Sequence, residues 1–139
     1  MRIIHKRNFM KILLITIALL LSASISQAQT VKEQWGGTGI SVSVWDDLSS
    51  SVTFDCASGS VESGRWPTGQ SRVNAVGTYT QHTGARPIPG KSPRVEKAVY
   101  KANIDEHAGK MTLSVKVGVK KAVVYRLVLD AVPALRRCM

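Results

Sequence analysis

Residues 98–117 read AVYKANIDEHAGKMTLSVKV, and this stretch decides the fold. Ala98, Tyr100, Ala102 and Ile104 alternate with Val99, Lys101 and Asn103, and Met111, Leu113, Val115 and Val117 alternate with Thr112, Ser114 and Lys116. Successive side chains of a strand point to opposite faces, so each arm predicts a strand with one apolar and one polar face. The polar run from Asp105 to Lys110 turns the chain between them. The pair is a hairpin.

The same period of two extends outward in both directions. Downstream, Val123, Tyr125, Leu127 and Leu129 share a face that Arg126 avoids, and Pro133 sets off a short final strand ending at Cys138. Upstream, Ile40, Val42 and Val44 alternate with Ser41, Ser43 and Trp45; Val52, Phe54 and Cys56 alternate with Thr53 and Asp55; and Val73, Ala75, Gly77 and Tyr79 mark a further strand. Gly77 there is the place for a bulge or a close approach. Trp35 to Gly39 reads as a strand-breaking segment, Asp46 to Ser50 as a turn, and Ser58 to Ser71 as Gly- and Ser-rich turn chemistry around a possible short strand at 60–62. Gly84 to Pro93, with Pro87, Pro89, Gly90 and Pro93, is the longest loop. No sustained period of 3.6 follows Ala28. The reading is all-β, with seven or eight short strands in a small antiparallel up-and-down β-barrel, lipocalin-like or calycin-like; a two-sheet β-sandwich is the alternative.

The first 28 of the 139 residues read as a leader. Arg2, Lys6, Arg7 and Lys11 precede an apolar run from Ile12 to Leu21, and Ser26-Gln27-Ala28 places small residues where a signal peptidase reads. The run is shorter than the roughly 18 to 20 residues that span a bilayer, so a cleaved signal peptide is expected rather than an anchor. Cleavage after Ala28 leaves one β-domain over 29–139, periplasmic or secreted, with no transmembrane segment. Four of the 19 Lys and Arg lie before that point and all nine acidic residues after it, which reduces the net charge from +10 to +6. The remainder is uneven: residues 29–85 sum to −2 and 86–139 to +8. Such a basic half attracts anionic polymers or acidic partners through its summed field, or simply keeps strand faces and edges soluble. Nucleic acid is not a required partner.

Cys56 and Cys138 are the two cysteines, and an even count in an exported chain predicts that they bond to each other. With no CxxC motif, a structural bridge is expected over redox chemistry. The residues Trp35-Gly36-Gly37, Phe54 to Val61 (FDCASGSV), Gly77-Thr78-Tyr79, His82-Thr83-Gly84, Met111 to Val115 (MTLSV) and Cys138 resemble a group of small secreted bacterial β-domain proteins without an assigned activity. The resemblance spans nearly all of the chain after the leader and implies a compact β-domain, export and the same two cysteines. That group carries a histidine where this chain has Ser58 and a second glycine where it has Thr83.

Chemistry-bearing constellations are sparse. His82 and His107 are the histidines beyond the leader, too few for the three or four ligands that zinc takes, so neither a metal nor a cofactor is expected. There is no GxSxG, and adjacent Asp46 and Asp47 read as turn residues. Gly36, Gly37 and Gly39 precede no helix and make no phosphate cradle. The aromatic residues offer more. With Ile40, Val42 and Val44 facing inward, Trp45 points out, and Trp35, Trp45 and Trp66 form either a ligand platform or core. Arg86, Lys91 and Arg94 would add charge on the longest loop. The expected function is a monomeric, non-catalytic binding module of the bacterial cell envelope, recognising a small ligand or a protein partner. The other readings are a basic accessory protein on anionic envelope polymers and, behind it, a hydrolase.

Overall fold

A ring of antiparallel pairings closes on itself. The computed structural model describes residues 26–62, 66, 71–84 and 88–138. Eight strands follow in order: β1 (Val31–Gly37), β2 (Ile40–Trp45), β3 (Ser50–Phe54), β4 (Ala57–Val61), β5 (Arg72–Gln81), β6 (Val95–Asp105), β7 (Lys110–Val117) and β8 (Val123–Leu129). Each pairs with its sequence neighbour and β8 returns to β1, making an up-and-down barrel in which every strand is paired on both sides. The closing seam is short, with Trp35 opposite Leu129, Gly36 opposite Val128 and Gly37 opposite Leu127. The β5–β6 and β6–β7 ladders, which contain the stretch quoted first, are the longest.

Alternation fixes what fills the barrel. Ile40, Val42 and Val44 meet Phe54, Val52 and Ser50 across β2–β3, and Ala98, Tyr100 and Ala102 meet Gly77, Ala75 and Val73 across β5–β6. All of the apolar side chains among these are buried, as are Met111, Leu113, Val115 and Leu127. Among the described residues the barrel interior is packed with side chains. Tyr100 crosses the interior and donates its hydroxyl hydrogen bond to the Thr78 carbonyl at 2.6 Å. Two glycines make room for it: a Cβ on Gly59 would run into the Tyr100 hydroxyl, and one on Gly77 into the Tyr100 ring edge and the Ser60 carbonyl. Gly77 is a close approach, as its sequence context predicts.

Three local expectations are corrected. Trp35 to Gly37 lie in strand β1, not in a strand-breaking segment. The glycines are there because the barrel crowds them: a Cβ on Gly36 would strike the Ala131 carbonyl, and one on Gly37 the Arg126 carbonyl. Cys56 is not an inward residue of β3, which ends at Phe54; it sits half-buried in the β3–β4 turn. The stretch after Pro133 forms no strand but a strap that touches the barrel through one parallel bridge, Thr38 to Ala134. The strap is held by Gly39 N–H to Ala134 O at 2.8 Å and by Arg136 N–H to the Asp55 carboxylate at 2.7 Å. The Cys56–Cys138 disulfide fixes its far end. The bridge thus ties the strap to a turn, and pairing of β1 with β8, rather than the disulfide, closes the ring.

Candidate functional site

An up-and-down barrel sends alternate connections to opposite ends. Turn 46–49, residues 62, 66 and 71, and turn 106–109 gather at one end, where buried Trp66 packs into the core with its backbone N–H on the Leu48 carbonyl. That end is plugged. Turns 38–39 and 55–56, residues 82–84 and 88–94, and turn 118–122 gather at the other, together with the disulfide. Gly39, at the end of the Trp35–Gly39 segment, and His82, at the root of the longest loop, therefore stand at the same end.

The open end is aromatic at its centre. Phe54 lies between Tyr79 and Tyr125, with ring centroids 5.3 and 5.7 Å away and interplanar angles of 55° and 52°. A cleft of about 120 Å³ opens over them, walled by Val115, Val117 and Val123 and rimmed by Lys120 and Lys121. Two wider depressions continue it. One of about 360 Å³ shares the three rings and reaches Asp55, Gln81 and Arg136. The other, of about 640 Å³, shares Gln81 and Lys120 and reaches His82, Lys91, Arg94 and Glu96.

Burial pushes the Tyr79 and Tyr125 phenols above their ordinary range, helped by Glu96 beside Tyr79 and by Tyr79 and Asp55 beside Tyr125. Tyr100 is raised furthest, mainly by burial and then by Tyr79. The fold therefore favours the neutral phenols. Their stabilising contribution is complete below the ordinary tyrosine value of 10.0 and is lost as pH climbs through the higher folded values. An alkaline unfolding transition above pH 10, coincident with phenolate absorbance, is the expected result, and Tyr100→Phe should move it to higher pH. Phenols that ionise near 10 with the circular dichroism unchanged would contradict this.

The residues singled out in the sequence are placed as follows. Trp35 and Trp66 are core, so neither offers a platform; Trp35 donates its indole N–H to Glu33 at 3.2 Å. Trp45 is half-buried at the plugged end of β2, away from the open end. Lys91 and Arg94 are exposed at the open end, and Arg86 lies outside the described residues, as does the leader before Ser26. Asp46 accepts from the Thr30 hydroxyl at 3.3 Å, and Asp47 from the Ser49 hydroxyl at 2.6 Å, which pulls its carboxyl below the ordinary range. The turn reading of both holds. Among the described residues no three His, Cys, Asp or Glu converge on a metal position.

Sequence reasoning missed the aromatic trio, because Phe54, Tyr79 and Tyr125 look like ordinary inward residues until the ends of their strands are known. It also missed Ser58 Oγ on His82 Nε2 at 2.9 Å, an exposed pair on the outer wall. Among the described residues no helix is long and apolar enough to cross a membrane. A disulfide of this kind persists where the surroundings are oxidising. No protein family, curated protein or solved structure matches the chain.

Proposed function

We propose that this chain is an exported, non-catalytic binding module of the bacterial cell envelope whose open barrel end holds the apolar end of a small anionic ligand. The observation that carries the reading is the Phe54, Tyr79 and Tyr125 cluster under a cleft edged by Lys120 and Lys121. An engineered apolar cavity of about 150 Å³ takes up benzene. A cleft of about 120 Å³ suits one ring or a short alkyl end. The filled interior keeps the ligand at the mouth, where the lysines meet its charge. Export is supported by the sequence of the first 28 residues, by the disulfide, and by the resemblance to secreted β-domain proteins.

Titration with sodium decanoate and with phenylacetate, followed by amide chemical shifts, tests the proposal. Shifts should concentrate at residues 54, 79 and 117–125, and Lys120→Ala/Lys121→Ala should weaken binding roughly tenfold, equivalent to about 1.4 kcal/mol. Lys91→Ala/Arg94→Ala should weaken it less, because those side chains stand on the outer rim. Saturating decanoate and phenylacetate without a shift at these positions would refute the small-ligand reading and leave a protein partner at the same end.

A further inference from the structure

The barrel wall is sorted by charge. Outward positions of β2 to β4 carry Ser41, Ser43, Ser51, Thr53, Ser58 and Ser60, without a cation. Outward positions of β5 to β7 carry Lys110 opposite the carboxylate of Asp105 at one end and, along the rest of the wall, Arg72, Lys97, Lys101 and Lys116, all exposed. The register orders these four. Lys101 stands opposite Ser114, Lys116 opposite Val99, and Arg72 opposite Asn103. Lys97 to Lys116, Lys116 to Lys101 and Lys101 to Arg72 are therefore each one strand over and two residues along. A rise of about 3.3 Å per residue and a strand spacing of about 4.8 Å make each step about 8 Å, and the whole line about 20 Å long. Among the described residues none of the four is within salt-bridge distance of a carboxylate. Glu96 is held on the inward side opposite Tyr79.

We infer that this wall docks an extended acidic polysaccharide running along β6, oblique to the barrel axis. A surface built only for solubility intersperses both signs of charge; this one lines up four cations, keeps its one outward carboxylate, Asp105, at the end opposite Lys110, and leaves the outward positions of β2 to β4 uncharged. Exposed Asn74 and Asn103, with half-exposed Ser114, lie between the cations and offer the donors and acceptors that sugar hydroxyls use. The wall is convex, so a flat bilayer touches it along one line of contact, whereas a linear polymer follows the cations from end to end. Exposed rings for stacking bases are absent from this wall among the described residues. The inference is independent of the open end, since none of its residues lines the aromatic cleft.

The test is retention on immobilised polygalacturonate at a series of salt concentrations, with neutral dextran as the control matrix. The native protein should bind polygalacturonate and not dextran. Lys97→Ser/Lys101→Ser/Lys116→Ser, which copies the opposite wall, should weaken binding at least tenfold and flatten the log–log salt slope by about 2, as loss of three neutralised charges on a flexible polyanion requires. Lys97→Gln/Lys101→Gln/Lys116→Gln, which keeps most of the aliphatic stems, gives the same readout should the serine variant fold poorly. Decanoate shifts at the mouth should persist in either variant, so failure here and failure of the open-end reading are separable. Equal weakening by Lys120→Ser/Lys121→Ser would show a net-charge effect and overturn the inference. So would tighter binding to phosphatidylglycerol vesicles than to polygalacturonate.

Discussion

Replacing Cys56 and Cys138 by serine should lower the unfolding free energy by about 2 to 5 kcal/mol. The bridge closes a loop with a sequence separation of 82, for which the chain-entropy argument gives roughly 4 to 5 kcal/mol as an upper figure. The native state loses more than a covalent link. The strap from Asp130 onward keeps its place through Asp130 N–H on the Gln34 carbonyl, Ala134 N–H on the Gly37 carbonyl and Arg136 N–H on Asp55. Cut free at its end, it must hold those bonds against its own chain entropy, at roughly 1 to 2 kcal/mol per ordered residue. Calorimetry of the native and serine proteins, and of the native protein with and without reductant, measures the loss. A change below about 1 kcal/mol would mean that the strap is held by its contacts alone and that the entropic account is wrong here.

Gly59→Ala should destabilise the barrel by about 3 kcal/mol, at the upper end of what one extra methyl costs a packed interior. The new methyl meets the Tyr100 hydroxyl and the Thr78 carbonyl, and the tyrosine is fixed by its hydrogen bond to that same carbonyl. Neither neighbour is the free end of a flexible side chain. Tyr100→Phe alone should cost about 1 to 2 kcal/mol through the lost bond. Combined, the two should cost less than their sum by roughly 1 kcal/mol, because removing the hydroxyl vacates part of the space the methyl needs. Denaturant unfolding of the four proteins in the cycle reads this directly. Strict additivity would mean that backbone crowding against Thr78 is the whole effect.

The barrel was legible wherever alternation was clean and long, as in β6, β7 and β8, since period two fixes both the strand and its inward face. It blurred in β1 and β4, where Gly36, Gly37 and Gly59 read as turn chemistry. Those glycines answer to partners remote in sequence: Ala131, Arg126 and Tyr100. No local pattern reports such crowding. The cysteine pairing followed from number and compartment, but its partner elements did not, because a strap along a barrel has no periodic signature. The open end was half visible. Loop 84–93 and its cations stood out by composition, whereas Phe54, Tyr79 and Tyr125 converge only once three separate hairpins are closed into a ring. The wall of aligned lysines was visible as charge in the second half of the chain, and became a line only through the register.

The short seam between β1 and β8 has a consequence for how copies of this protein meet one another. It is the one junction between strands that are not neighbours in sequence, and it rests on three facing residue pairs, against nine between β5 and β6. A barrel parted there offers two bare strand edges, each able to accept its counterpart from a second molecule in a reciprocal exchange. The strap crosses beside this line, with the Ala131 carbonyl against Gly36 and Ala134 bonded to Gly37 and Gly39. The Cys56–Cys138 bridge fixes the far end of that strap and so keeps it lying alongside the seam.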